Sequence, residues 1–187
     1  MRLQSILIAT ATTLGKTQTP TGIVKVSVSE PVELSEMGLQ GDFQADKRVH
    51  GGLEKAVYQY PKENYQMLAS ALPHLAEKFK QPCLGENFSS IGMEDDTVYI
   101  GDIYRIGSAL VQVSQPRMPC WKLNQHIGNA HMQALLLAFN RSGWYYRILE
   151  AGLVQAGDEI SLVERIQNEY SVQKVWELWN EMREKKQ

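Results

Sequence analysis

Cysteine is scarce in this chain, which has two among its 187 residues, Cys83 and Cys120. Neither belongs to a CxxC pair, and no Cys/His cluster has zinc-finger spacing. A disulfide framework is therefore not expected, and an iron–sulfur cluster held by four cysteines of this chain is excluded. The sequence also lacks a Cys-x-x-Cys-His haem motif and a GxGxxG loop after a strand. Cys83 follows a proline in a loop-like stretch, and we expect it to be structural.

An excess of basic charge is also missing. Lys and Arg total 19 and Asp and Glu total 21, a net charge of -2, so no strongly basic face is implied and nucleic acid is not expected as a partner. No apolar run approaches the roughly 20 residues that span a bilayer. Residues 1–8 lack a full signal-peptide core and cleavage site, and they are predicted to form the first strand. We therefore expect a cytoplasmic protein without a membrane partner.

The first two-thirds of the chain is rich in glycine and in short β-type runs. Residues 23–28, 97–100 and 109–113 alternate between apolar and polar as strands do, and residues 152–163 return to this character. Turns that contain glycine separate these runs. The pattern indicates an antiparallel barrel or sandwich in an ordinary soluble globular protein.

Helical signals interrupt the strands. Residues 61–71 have proline at the start and proline beyond the end, and residues 131–140 carry apolar side chains at helical spacing. From Ser171 onward an apolar stripe predicts an amphipathic C-terminal helix, whose packing face lies against the barrel or against the second subunit of a homodimer. We divide the chain into a domain of residues 1–165 and a helical tail of residues 166–187.

The most informative segment is residues 114–120, Ser-Gln-Pro-Arg-Met-Pro-Cys, which closes the strand of residues 109–113. Its two prolines stiffen the strand exit, because each fixes its own φ and biases the preceding residue toward extended geometry. Cys120 is thereby held on a rigid turn, with Arg117 upstream and Lys122 downstream. Positive charge nearby favours the thiolate, the form that attacks electrophiles or binds metal. The alternative is a buried, inert cysteine.

A second candidate element is the charged loop of residues 41–52, which ends in His-Gly-Gly. Paired glycines let the backbone approach a ligand closely, and successive N–H groups there can form an anion-binding nest. The alternative is a turn with solvated charges. The candidate ligand-binding residues of this loop are Lys47, Arg48, His50, Gly51 and Gly52.

Three further motifs are weaker when taken alone. Gly85-Glu86-Asn87 offers a carboxylate and an amide in a loop before a short strand. The Gly-Asp pairs at 101–102 and 157–158 are most simply interpreted as barrel turns. Residues 141–147 combine two arginines with three aromatics, a composition that suits either the wall of a planar ligand site or the core.

Taken in order, these motifs resemble the MOSC domain, the C-terminal domain of molybdenum cofactor sulfurases and its stand-alone relatives. The resemblance covers about residues 20–163 and is greatest to the small bacterial YiiM-like branch. The tail departs from that branch, whose members often carry a longer, three-helix extension. The ordered set is Gly41-Asp42, His50-Gly51-Gly52, Gly85-Glu86-Asn87, Gly101-Asp102, the Pro-Arg-x-Pro-Cys of residues 116–120, and Gly143-Trp144-Tyr145.

The resemblance implies a mainly β fold, a closed MOSC-type β-barrel with a few peripheral helices and a C-terminal amphipathic helix. It also implies that the barrel binds the molybdenum–pterin cofactor, with Cys120 as the protein ligand to the metal. A soft thiolate suits a metal already held by two dithiolene sulfurs. The phosphate of the cofactor needs cationic and N–H donors, which residues 47–52 and Arg117 can provide, and Asn87 is a further cofactor-binding candidate. Pyridoxal phosphate binding is not expected.

In relatives that act as enzymes, the metal removes oxygen from N-hydroxylated compounds such as hydroxylaminopurines. We therefore expect a molybdenum-dependent oxidoreductase that reduces N-hydroxylated bases or related N-oxygenated compounds, with Cys120 as its catalytic residue. Two electrons per turnover have to come from a separate reductase, which we expect to be a flavoprotein. Three alternatives stay open: a sulfur carrier that uses a Cys120 persulfide, a non-catalytic cofactor-binding module, and a cysteine hydrolase that uses Cys120 with His50 or His126.

Overall fold

The computed structural model describes residues 1–15, 18–46 and 49–185. Within these ranges the chain forms three β-sheets with four α-helices around them. The strands are β1 (Arg2–Ala9), β2 (Thr12–Leu14), β3 (Thr19–Thr21), β4 (Lys25–Val28), β5 (Val32–Ser35), β6 (Gly38–Leu39), β7 (Val57–Pro61), β8 (Phe88–Ile91), β9 (Ile103–Ile106), β10 (Ala109–Pro116), β11 (Trp144–Glu150), β12 (Gly152–Val154) and β13 (Ile160–Glu164). The helices are α1 (Glu63–Ala71), α2 (Lys122–Ile127), α3 (Met132–Phe139) and α4 (Val172–Glu184), with short 3-10 helices at Leu53–Lys55 and Pro73–Lys78.

The largest sheet has eight strands in the order β13-β9-β10-β11-β7-β8-β1-β4. Its neighbours are antiparallel except β7 and β8, which run parallel because α1 lies on the connection between them. A three-stranded sheet, β12-β5-β6, and a hairpin of β2 and β3 complete the β structure of the described residues. The mainly β class with peripheral helices is therefore confirmed.

The closed barrel expected above is wrong, because the large sheet stays open between β13 and β4. β4 pairs with β1 over Ile6–Ala9, so only the first residues of β1 remain free to meet the other end of the sheet. There the contact is an isolated bridge between Arg2 and Glu159, with a few backbone hydrogen bonds between residues 1–3 and 157–160. To close the barrel, β13 would have to pair along the whole of β1, but β4 already pairs with Ile6–Ala9 on that edge.

Most of the predicted elements are found, with shifted boundaries. The first strand and the strands at 23–28 and 109–113 form as β1, β4 and β10. The predicted helix at 61–71 begins only at Glu63, since Pro61 still belongs to β7. The predicted strand at 152–163 divides into β12 and β13, which lie in different sheets.

The strand predicted at residues 97–100 is wrong. The Val98 N–H donates to the Glu94 carbonyl over 3.1 Å, and the Tyr99 N–H donates to the Asp102 carboxylate over 3.0 Å. These turn bonds occupy the donors that a ladder would use, and what remains of strand pairing is an isolated bridge between Tyr99 and Ser171.

The core has two parts that β11 separates. Trp144 and Tyr146 point into the first part, enclosed by the large sheet, whereas Tyr145 faces the second part, which lies beneath α1, α2 and α3. This division follows from the alternation of side chains along a strand. All three aromatics in residues 141–147 are therefore core residues, and only Tyr145 belongs to the second part.

The C-terminal helix α4 packs onto the first part of the core. Val172 and Trp176 are fully buried there, and the Ser171 hydroxyl caps the helix by accepting a hydrogen bond from the Lys174 N–H. The predicted apolar stripe is thus a packing face within this chain. The division at residue 165 stays a prediction. Among the described residues, no helix combines the length and the apolarity of a membrane span.

Replacing Trp176 with alanine tests whether α4 belongs to the cooperative fold. The substitution removes a fully buried indole, and we expect it to lower the free energy of unfolding by about 3–5 kcal/mol. Urea unfolding followed by far-UV circular dichroism measures the change. Met182→Ala is the matched control on the same helix, because Met182 is 53% exposed and its truncation should cost less than about 0.5 kcal/mol. Similar losses in both variants would contradict the packing described here.

Candidate functional site

A cleft opens beside β4, β7 and β11, where the second part of the core meets three loops. Its empty space, counted together with the solvent at its mouth, is about 620 Å³. Lys25 of β4, Tyr58 of β7 and Tyr145 of β11 contribute to its walls. The rest of the lining comes from residues 21–23, from the loops of residues 42–46 and 84–87, from His50 and Lys55, and from the segment between β10 and α2 together with Lys122 at the start of α2.

The segment between β10 and α2 carries Arg117 and Cys120 into the cleft. The Arg117 N–H donates to the Gly143 carbonyl over 2.9 Å, and the Ser142 hydroxyl donates to the Arg117 carbonyl. The main chain of Arg117 is thus held on both sides by the residues that precede β11. Cys120 is half-buried and lines the same cleft, as its position at a stiffened strand exit predicts.

The guanidinium of Arg117 is buried without a carboxylate partner. Its residue is 4% exposed, its central carbon lies 4.8 Å from the centroid of the Tyr58 ring, and Nη2 donates weakly to the Leu84 carbonyl over 3.4 Å. Within the described part of the chain, Nε and Nη1 have no hydrogen-bond partner. Burial opposes its charge, yet the phenols of Tyr58 and Tyr145 and the Cys120 sulfur keep the pKa of Arg117 above its ordinary value. A buried cation with free donors is suited to an anionic ligand.

His50 lines the same cleft as Arg117. Its Nδ1 lies 3.3 Å from the Tyr145 hydroxyl, within reach of a hydrogen bond. Burial, and then the positive charges of Arg117, Lys55 and Lys122, lower the pKa of His50 to about 4. The imidazole is therefore neutral at physiological pH and can accept or donate a hydrogen bond.

One wall of the cleft is a buried ion pair joined to an amide. The Lys25 Nζ and the Asp42 Oδ1 are 2.6 Å apart, and burial lowers the pKa of Lys25 despite this partner. Asn87 donates from Nδ2 to Asp42 over 2.8 Å and to the Leu7 carbonyl over 3.2 Å, and its Oδ1 accepts from the Tyr58 N–H over 3.2 Å. The Asn87 amide lines the cleft, but its hydrogen bonds go to the protein and hold the wall together.

The structure brings four of the predicted site residues to one cleft: Cys120, Arg117, His50 and Asn87. Gly51 and Gly52 follow His50 but are not among the described residues that line it. Gly52, with φ 84°, begins the 3-10 helix that directs Lys55 to the cleft. Lys47 and Arg48 lie outside the described residues.

The lining residues that were missed in the sequence include Lys25, Lys55 and Tyr58. A lysine inside an otherwise apolar alternating run was the available signal for Lys25, since such a residue must either face water or be paired. Tyr58 stands in an aromatic strand and carries no signal that separates it from the core. Lys55 lies three residues beyond the paired glycines, close enough to have been included with them.

The charge of the cleft is positive although the chain as a whole is slightly acidic. A local surplus of cations attracts and orients an anionic ligand. The described cations of the lining are Lys25, Lys55, Arg117 and Lys122, and the described carboxylates are Asp42 and Asp46.

The described residues contain no group of three or more His, Cys, Asp or Glu side chains arranged to hold a metal ion. A metal bound in this cleft could take the Cys120 sulfur as a protein ligand and further ligands from a cofactor. A soft metal with sulfur ligands of its own fits that arrangement.

The fold and the cleft define a mainly β protein with a cationic, cysteine-bearing ligand site. Residues 46–161 match the model of the MOSC domain, and the chain belongs to the MOSC domain family. It is 44% identical to Protein YiiM of Escherichia coli over 79% of this chain and 66% of YiiM. It is 37% identical to a protein named Reductase from Gibberella moniliformis over 80% of this chain but 27% of that protein. The crystal structure of YiiM from Geobacillus stearothermophilus superposes with a TM-score of 0.80 at 31% identity, covering 97% of this chain and 85% of that one.

An NMR titration of the histidine rings tests the electrostatics of the cleft. We expect the His50 ring to titrate with a midpoint near pH 4, because burial and three nearby cations disfavour its charged form. Arg117→Met removes one of those charges and should raise the pKa of His50. Lys80→Met is the control, because Lys80 pairs with Glu77 at the surface and is not among the charges that act on His50. An unchanged His50 midpoint in Arg117→Met would show that the guanidinium does not act on the imidazole as described.

Proposed function

We propose that this chain binds the molybdenum–pterin cofactor in the cleft and reduces N-hydroxylated bases or related N-oxygenated compounds. The observation that carries the proposal is the buried Arg117 in the same cleft as Cys120, since two of its guanidinium nitrogens have no hydrogen-bond partner in the described part of the chain. Membership of the MOSC domain family supports it, and so does the fungal relative whose name is Reductase. Detoxification of N-hydroxylaminopurines is the role that this activity would serve.

The donors in the cleft fit the cofactor. Cys120 would be the protein ligand to the metal, since its soft sulfur matches molybdenum held by two dithiolene sulfurs. Arg117, with Lys55 and Lys122 beside it, would bind the cofactor phosphate through charge-assisted contacts. When bound, the cofactor supplies the two-electron chemistry that removes oxygen from nitrogen.

The protein side of this reaction is the handling of protons. Reduction of a hydroxylamine to an amine and water consumes two electrons and two protons. Burial, together with the Cys120 sulfur, raises the pKa of Tyr145 despite the opposing charge of Arg117, so its hydroxyl keeps its proton at neutral pH. The neutral His50 ring lies 3.3 Å from that hydroxyl. Tyr145 and His50 are therefore the groups that hold and pass a proton in the cleft.

The first test of the proposal is the metal content of cysteine variants. Protein made in a host with molybdenum cofactor should contain stoichiometric molybdenum by elemental analysis, and Cys120→Ser should lose it while remaining folded, because an alcohol stays protonated and is a hard ligand. Cys83→Ala is the matched control. Cys83 is buried in the second part of the core, outside the lining of the cleft, and its removal should leave the metal in place.

The outcomes separate the alternative functions. Retained molybdenum and activity in Cys120→Ser would contradict the ligand role. Protein without molybdenum whose Cys120 carries the mass of one extra sulfur atom would instead support a persulfide carrier. Stoichiometric molybdenum without turnover of any N-hydroxylated substrate would support a cofactor-binding module.

A further proposal concerns the source of electrons. The sequence has no motif for an iron–sulfur cluster, haem, flavin or nicotinamide, so we propose that a separate flavoprotein reductase supplies two electrons per turnover. Molybdenum-loaded protein should be inactive with NAD(P)H alone and active when a low-potential dye is added. Product formation from N-hydroxylated adenine, followed by chromatography, measures both conditions. Sustained turnover with NAD(P)H alone would reveal a redox site in this chain and would refute the need for a partner.

A further inference from the structure

Asp95 is a fully buried carboxylate behind the cleft, and it joins three elements. Its Oδ1 accepts from the Gly143 N–H over 2.9 Å, and its Oδ2 accepts from the Asn64 amide of α1 over 2.7 Å. Its carbonyl accepts from the N–H of Gln173 in the first turn of α4 over 2.8 Å. Asp95 does not itself line the cleft among the described residues.

Gly143, which donates to Asp95, is one of two residues that bind the main chain of Arg117; the other is Ser142. The Gly143 carbonyl accepts from the Arg117 N–H, and the Ser142 hydroxyl donates to the Arg117 carbonyl. The Ser142 carbonyl also accepts from the Tyr58 hydroxyl over 2.9 Å, and the Tyr58 ring carries the guanidinium. Ser142 and Gly143, hereafter the Arg117 clamp, therefore fix both the main chain of Arg117 and the ring on which its side chain rests.

The clamp has little freedom to adjust. Gly143 has a φ of +71°, which residues with a side chain rarely adopt, and a Cβ there would lie 2.2 Å from the Gln59 carbonyl oxygen. The backbone at Gly143 therefore passes very close to β7. The bond from its N–H to the Asp95 carboxylate is charge-assisted and buried, which makes it strong and directional.

Among the described residues, Asp95 has no ion-pair partner. Arg141, the nearest basic neighbour in sequence to the clamp, pairs with Glu94 over 2.9 Å and with Asp96 over 3.4 Å. Burial raises the pKa of Asp95 to about 6, against the opposing effect of its hydrogen bonds from Asn64 and Gly143. The carboxylate is thus ionised at neutral pH although burial disfavours its charge. Buried ionisable groups with shifted pKa values are frequent at functional sites.

We propose that Asp95 is a positioning residue for the anion-binding guanidinium of Arg117, acting through the Arg117 clamp. The inference rests on the proposed function in one respect, since the ligand of Arg117 is taken to be the phosphate of the cofactor. Asp95 touches neither cofactor nor substrate. Its carboxylate fixes Gly143, and Gly143 and Ser142 in turn fix Arg117 and Tyr58. The guanidinium, whose Nε and Nη1 have no hydrogen-bond partner among the described residues, is thereby held at the wall of the cleft.

Inorganic phosphate is the probe, and its affinity for the full chain is measured by isothermal titration calorimetry on protein made without molybdenum cofactor. Wild-type protein should bind phosphate, and Arg117→Met should abolish that binding. Asp95→Ala should weaken it about tenfold, because the clamp loses a buried hydrogen bond to a charged group. Asp95→Asn should restore affinity to within about threefold, because its amide can still accept from Gly143 and, with the Asn64 amide turned over, donate to Asn64.

Asp102→Ala is the matched control. Asp102 is an equally buried carboxylate, but its hydrogen bonds go to Arg165, Tyr104 and the Tyr99 N–H, away from the clamp. The substitution should destabilise the chain in urea unfolding and leave phosphate affinity unchanged. If Asp95→Ala does not fold, Asp95→Ser takes its place with the same expectation, since its side chain is too short to bridge Gly143 and Asn64.

The outcomes separate this inference from the proposed function. Phosphate binding that depends on Arg117 but is unchanged in folded Asp95→Ala refutes the positioning role and leaves the anion site intact. Equal weakening by Asp95→Ala and Asp102→Ala also refutes it, because the effect would then come from general loss of stability. Absence of phosphate binding in the wild-type protein, or full binding in Arg117→Met, overturns the anion site and the positioning role together.

Discussion

Arg117 keeps its charge while almost wholly removed from water, and the surrounding structure compensates for this only in part. A buried cation needs partners, and among the described residues Arg117 has the face of the Tyr58 ring, the distant Leu84 carbonyl and the neighbouring Tyr145 hydroxyl. Asp42 lines the same cleft but already pairs with Lys25. The two prolines and the Arg117 clamp hold the backbone that carries this charge. A buried cation of this kind is suited to an anionic ligand.

Three polar residues of the sequence motifs, Asp42, Asn87 and Glu86, form hydrogen bonds within the protein. Asp42 and Asn87 bind each other and the backbone of β1 and β7, so they build the wall. Glu86 is buried further in, where it accepts hydrogen bonds from the Leu84 N–H and the Tyr65 hydroxyl and so holds the loop whose carbonyl meets Arg117. Such residues constrain the shape of the site without offering a free donor to a ligand.

The prediction of Cys120 at a strand exit succeeded because its causes are local. Alternation fixes the strand, and proline fixes the turn. Lys25 shows the limit of the same reasoning. The alternation of β4 is real, but Val24 and Val26 are 43% and 58% exposed whereas Lys25 is 8% exposed, because the inward face of this edge strand lines a charged cleft rather than the core. Periodicity separates the two faces of a strand but does not say what each face meets.

The remaining failures have a similar origin in distant contacts. Residues 97–100 have strand-like composition, yet an aspartate two residues beyond them claims their backbone donor. The sheet is open because β4 pairs with the second half of β1, whereas the residues before β13 reach only its first residues. β13 is far from β1 in sequence, so the alternation within each strand does not predict this pairing. Asp95 carries no pattern at all, because its importance comes from three hydrogen bonds to segments more than 30 residues away.

The unequal burial of the two cysteines has a practical consequence. Cys83 is enclosed in the second part of the core, and burial raises the pKa of its thiol above the ordinary value, so it stays protonated and out of reach. A thiol-selective alkylating reagent then meets one accessible thiol, that of Cys120 at the wall of the cleft. The intact mass of the labelled protein then gives the fraction of chains in which Cys120 is accessible. A ligand bound in the cleft would lower that fraction, so its binding can be measured before the ligand is identified.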